Sequence, residues 1–193
     1  MLVSLFLLSV AALATAIPTW EGLARFDVAE LAPKTTAIQV LGSMVNQPSH
    51  LCSHNPGQAG NLTFAPTYKQ TPSLFTIPGD SGKLWQYINE TTILPVTILN
   101  TTLYEAAPLQ LVLGKQQSRT AKVISGGRWA WRGTMLQFYM GPRTNSGVFF
   151  ACPTPEGVLG LFMWLSPGQV PAECEIITMH SFAEHIIGEI KKR

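Results

Sequence analysis

Turn-forming residues interrupt this chain throughout, and that limits what it can fold into. Its 16 glycines and 14 prolines are spread along the sequence rather than gathered into a linker. The segments left between them are short, apolar and rich in Val, Ile, Phe, Tyr and Trp, which suit a pleated, half-buried surface. Short strands separated by turn signals are the pattern of a sandwich or barrel. The pattern predicts strands over 37–41, 74–77, 84–88, 93–99, 109–113, 121–124, 134–140, 148–151, 158–165 and 175–179. Turns are predicted at Pro78-Gly79-Asp80, Ser125-Gly126-Gly127, Asn145-Ser146-Gly147 and Pro167-Gly168. Pro95 cannot donate to a ladder, so it marks the 93–99 strand as an edge strand or a broken one. Segment 20–31 is read as strand in preference to a short helix.

One helix is predicted, at about 181–193. Ser181 and Glu184 have the spacing of a capping box. Phe182, Ile186, Ile187 and Ile190 share one face, and Lys191, Lys192 and Arg193 sit at the negative end of the helix dipole. The fold class expected is therefore mainly β, an antiparallel β-sandwich or barrel with a short C-terminal α-helix.

The first residues place the chain in a compartment. Leu2–Leu13 is almost wholly apolar, broken only by Ser4 and Ser9. It is too short for the roughly 20 residues of a membrane span but fits the core of a secretory leader. Ala14-Thr15-Ala16 supplies small residues where a leader is cut, so residues 1–16 are read as a signal peptide. Residues 17–193 are read as a single secreted β domain. No other run is long and apolar enough to span a bilayer. Three sequons agree with secretion: Asn61-Leu62-Thr63, Asn89-Glu90-Thr91 and Asn100-Thr101-Thr102. Charged residues are only 12% of the chain, against a typical quarter, so sugar and neutral polar groups are expected to keep the surface soluble. A net charge of +2 is too small to argue for a nucleic-acid partner.

Three cysteines, Cys52, Cys152 and Cys174, are expected to oxidise in that compartment. The preferred pairing is Cys152 with Cys174. Cys52 is then unpaired or bridges to another chain as a disulfide-linked dimer. Pairing of Cys52 with either partner stays open.

Several clusters carry candidate chemistry. His50-Leu51-Cys52-Ser53-His54 would present three metal-binding side chains on one face of a strand. Pro48 and Asn55-Pro56-Gly57 favour a solvated loop instead, and no metal is expected. Glu173 and Glu175 would stand about 7 Å apart on a strand, between the carboxylate spacings of retaining and inverting glycosidases. Two solvent-facing glutamates beside a disulfide explain the same residues. His180 and His185 are read as surface residues. No nucleophile elbow, phosphate loop or dinucleotide fingerprint is present, and no cofactor is expected.

The most informative charge pattern lies between Glu105 and Glu156, where no acidic residue occurs. There Arg128-Trp129-Ala130-Trp131-Arg132 would put both indoles on one side of a strand and both arginines on the other. Indoles stack on sugar rings, and arginines grip anionic groups. Core tryptophans with a solvated charged face are the plainer reading.

The run Gly147-Val148-Phe149-Phe150-Ala151-Cys152-Pro153, then a strand, then Cys174 in a short closing strand, resembles the fungal phialide cell-wall protein family. These are small secreted proteins also described as IgE-binding-like. Phe26-Asp27-Val28-Ala29-Glu30-Leu31 leading into Ile38-Gln39 resembles that family's first strand, and Leu51-Cys52 is similar in position to its early cysteine. The terminal helix and the Arg128–Arg132 segment depart from the pattern. The resemblance implies a sandwich-like secreted or wall-associated protein with Cys152 and Cys174 as a structural pair and no active site. The leading expectation is a non-enzymatic secreted glycoprotein of the fungal cell wall or extracellular space, with wall polysaccharide or an extracellular protein as partner. The alternatives are a carbohydrate-binding module using Trp129, Trp131 and the nearby arginines, and a small secreted hydrolase using Glu173 or Glu175.

Overall fold

The computed structural model describes residues 35–89, 91–100, 108–114, 121–154, 157–165 and 169–181. The expected leader, segment 20–31, the Pro167-Gly168 turn and every residue of the expected helix after Ser181 lie outside these. The described residues are mainly β. In chain order the strands are β1 (Thr36–Gly42), β2 (Ser49–Ser53), β3 (Gly60–Pro66), β4 (Leu74–Thr76), β5 (Trp85–Asn89), β6 (Thr92–Asn100) and β7 (Leu109–Leu113). They continue as β8 (Lys122–Val123), β9 (Arg128–Arg132), β10 (Met135–Met140), β11 (Arg143–Thr144), β12 (Val148–Pro153), β13 (Leu159–Met163) and β14 (Glu175–Ser181). One 3₁₀ turn, Gly79–Ser81, precedes β5.

Hydrogen-bonded pairing runs through eight of these strands and returns to its start, in the order β1, β4, β5, β6, β7, β13, β12, β14 and back to β1. Each of these pairings is antiparallel. Closure gives these strands partners on both sides, which removes the exposed ladder groups that make sheet edges sticky. The β2–β3 hairpin ties β1 to β7, through Gln39 opposite His50 and Asn61 opposite Val112. A second unit, β9–β10–β11, joins β14 where Met135 faces His180.

Alternation explains the core. In β14, Ile177 and Met179 are fully buried while Ile176 between them and the turn is 47% exposed. In β1, Ile38 and Val40 point inward, as do Leu161 and Met163 of β13. They meet Leu51, Leu62, Phe75, Leu111, Leu136 and Phe149 in one cluster. Side chains of this size each contribute about 1.5–3 kcal/mol on burial.

Cys152 and Cys174 form a disulfide with Cα atoms 4.3 Å apart. The register explains the pairing. Ala151 lies opposite Glu175, so one further step along the antiparallel pair puts Cys152 across from Cys174. That spacing is close to the roughly 4.5 Å of a non-hydrogen-bonded antiparallel pair.

Three expectations are corrected here. Most of the His50–His54 segment is no solvated loop: Ser49–Ser53 is a strand buried at all five positions, and only His54, just past it, is exposed. The strand lies between β1 and β3, and its polar groups are met locally. The Ser53 hydroxyl donates to the Gln58 carbonyl at 2.9 Å, and His50 Nδ1 is 2.9 Å from Thr67 Oγ1. The Cys52 thiol is only 2% exposed, which puts it out of reach of a second chain. Pro95 neither breaks β6 nor puts it at an edge; it marks the point where the strand changes partner. Residues up to Pro95 pair with β5 and those from Val96 pair with β7, so the missing donor falls at the handover. Ser181, the expected helix cap, is described, while the helix it would open lies outside the described residues. Ser181 is the last residue of β14, opposite Ile38, and its N–H donates to the Thr134 carbonyl at 2.8 Å.

Candidate ligand pocket

The Ser125-Gly126-Gly127 turn brings β9 back across the end of β6. Two close approaches fix its course. The Trp129 N–H donates to the Gly82 carbonyl at 2.6 Å, which ties the start of β9 to the 3₁₀ turn before β5. A Cβ at Gly127 would stand 1.9 Å from Cζ of Phe138, so only glycine lets that ring lie against the turn.

The geometry leaves a half-open cavity of about 640 Å³ between β5, β6, β8, β9 and β10. Its walls are Trp85, Pro95, Val96, Ile98, Val123, Ile124, Trp129 and Phe138, with Gly82, Gly126 and Gly127 contributing backbone. The polar side chains on it are Lys83, Thr97 and Ser125. Thr97 Oγ1 already donates to the Gly114 carbonyl at 2.9 Å, which leaves Lys83 and Ser125 as the polar groups open to an occupant. Among the described residues the lining holds no His, Cys, Asp or Glu.

Trp129 forms the inner wall. Its ring centroid is 5.0 Å from that of Phe138 in a tilted pair and 6.3 Å from that of Phe149 in a stacked one. These are favourable aromatic geometries, each adding about 0.5–1.5 kcal/mol beyond area burial. The stack holds the indole in one orientation. Trp85, also in the lining, is half-buried.

The residues singled out from the sequence fall in different places. Trp129 and Trp131 do share the inner side of β9, and Arg128 and Arg132 are exposed on the other. The two indoles do not form an exposed pair. Trp129 is 4% exposed, Trp131 packs half-buried against the core, and the arginines face away from both. The Arg128 guanidinium lies 5.4 Å from the Tyr139 ring centroid, a cation–π distance. Glu173 and Glu175 do not form a pair on one strand face. Glu173 sits in a turn with φ +64, ahead of the strand that begins at Glu175. Glu175 accepts a 2.6 Å hydrogen bond from the Ser43 hydroxyl. Neither lines the cavity. His180 is half-buried rather than on the surface, held at 3.1 Å by Thr134 and 3.0 Å by Thr178. His185 lies outside the described residues.

His50, Cys52 and His54 meet no further ligand; among the described residues no group of three or more His, Cys, Asp or Glu could hold a metal ion. Burial lowers the pKa of His50 and pushes the Cys52 thiol up to about 11, so both stay neutral near pH 7. The cavity itself was not legible in the sequence. Its wall comes from five strands, and the one local signal was the excess of Gly and Trp between 125 and 131. Among the described residues no helix is long and apolar enough to cross a membrane. No protein-family model, curated protein sequence or solved structure matches this chain.

Proposed function

We propose that this chain is an extracellular, non-catalytic binding protein that holds a small, largely apolar molecule between Trp85 and Trp129. The cavity carries the reading. Its volume of about 640 Å³ lies within the range of about 300–1,000 Å³ for small-molecule sites. Its lining matches such sites in chemistry too, with apolar and aromatic walls and few polar groups. Lys83 at the cavity wall, exposed and lining it, suits a ligand whose apolar body ends in an acidic group. The secreted, wall-associated setting belongs to the same proposal and is supported by the leader-like run and the sequons.

Fluorescence titration with two probes tests this. N-phenyl-1-naphthylamine is neutral, and 8-anilinonaphthalene-1-sulfonate adds a sulfonate to the same kind of apolar body. The neutral probe is expected to bind once per chain and to quench tryptophan emission. Trp85→Ala should weaken it about tenfold, near 1.4 kcal/mol. Val123→Trp, at a wall residue that is 45% exposed, should block entry without touching the core. The sulfonate should bind more tightly than the neutral probe, and Lys83→Gln should remove the difference. Failure of the folded protein to bind either probe would refute the pocket. Equal binding of both by the wild type would refute only the acidic end of the ligand.

A further inference from the structure

The sequon Asn89-Glu90-Thr91 spans the connection between β5 and β6, with Asn89 the last residue of β5 and Thr92 the first of β6. Asn89 is exposed. Its Oδ1 accepts both the N–H and the Oγ hydroxyl of Thr91, each at 3.0 Å. This Asx turn is closed by the sequon's own residues, so it needs no tertiary structure to form. Among the described residues no hydrogen bond engages Nδ2, which leaves the nucleophilic end of the amide open to water.

The other two sequons are placed differently. Asn61 is half-buried in β3 opposite Val112 of β7, and its Oδ1 accepts Gln110 Nε2 at 3.0 Å. Asn100 is half-buried at the end of β6, opposite Lys122 of β8. An attached glycan is bulky and must project into solvent. At Asn89 it projects from a hairpin tip. At Asn61 and Asn100 it has to leave from a half-buried strand position.

We propose that Asn89 is the N-glycosylation site of this protein, used in preference to Asn61 and Asn100. The inference rests on the secretory reading. In the transfer, Asn89 Nδ2 attacks C1 of the first sugar of a lipid-diphosphate-linked oligosaccharide. The C1–oxygen bond to the diphosphate breaks, the diphosphate leaves with its electron pair, and Nδ2 gives up one proton to a base. The hydrogen bonds from Thr91 to Oδ1 hold the amide oriented and, by polarising its carbonyl, make the Nδ2 protons more acidic, which assists their loss to the base.

The test is expression of the full chain in a eukaryotic secretory host in two versions. One keeps its own first 16 residues, and the other carries an established leader in their place. Secreted protein is treated with a peptide N-glycosidase, which turns each occupied Asn into Asp, and mapped by mass spectrometry. Asn89 is expected to be converted in most molecules, and Asn89→Gln should remove one glycan-sized step on a gel. Asn89 left unmodified in secreted protein, or modified less than Asn61 or Asn100, would overturn the proposal. Retention of the own-leader version alone, with Asn89 modified in the other, would refute the leader and support the site.

Discussion

Replacing Asn145 by alanine removes three hydrogen bonds made by one buried side chain. Asn145 is 5% exposed, in the turn between β11 and β12. Its Oδ1 accepts the N–H of Phe138 at 2.9 Å and of Gly147 at 3.2 Å, and its Nδ2 donates to the Val148 carbonyl at 3.2 Å. Alanine leaves two buried N–H donors with no acceptor. A buried group left unsatisfied costs about 1–3 kcal/mol, so the loss comes to about 3 kcal/mol. For a domain of this size, each kcal/mol moves Tm by about 2–4 °C, which gives a fall of about 6–12 °C. Urea unfolding followed by tryptophan fluorescence, with the disulfide kept oxidised, reads the change directly. Ser146→Ala is the control, since that neighbouring side chain is exposed and the change should stay within about 0.5 kcal/mol. Asn145→Ala within the same margin would refute the claim that this amide holds the turn against β10. The effect reaches the cavity as well, because Phe138, whose N–H is orphaned, is one of its walls. The neutral naphthylamine probe should therefore bind the variant more weakly even where it remains folded.

Two further outcomes follow from the cysteines. Changing Cys152 and Cys174 together to serine opens a loop with a sequence separation of 22. The chain-entropy argument then gives a loss of about 3 kcal/mol, and an unchanged urea midpoint would contradict it. Cys52 should resist Ellman's reagent at pH 8 in the native protein and react once unfolded; prompt labelling of the native protein would show the thiol is not buried. Because folding raises its pKa from 9.0 to about 11, the native state holds the thiol proton where the unfolded chain has released it. Stability should therefore decline as pH climbs from about 9 towards 11, and Cys52→Ala should flatten that decline.

What could be read without coordinates was local. Every segment predicted as a strand among the described residues contains one, because alternating apolar residues between turns leave few other ways to bury them. The Asn145-Ser146-Gly147 turn was legible for the same reason, and it requires Gly147: a Cβ there would stand 2.0 Å from Met135 Sδ. The preferred disulfide was also correct, though only the β12–β14 register explains why those two cysteines meet. The β2 strand was missed because Ser49-His50-Leu51-Cys52-Ser53 alternates nothing. It is buried at all five positions, with β1 and β3 as its hydrogen-bonded neighbours, a circumstance that has no local signature.

By itself the sequence determined the strand-and-turn character, since turn residues and β-branched runs act on the chain within a few residues of themselves. Tertiary structure alone decided the ring closure, the inward placement of Trp129 and the cavity beside it. Those depend on which strands pair and in what register, and a one-residue slip in β9 would have turned the indoles outward.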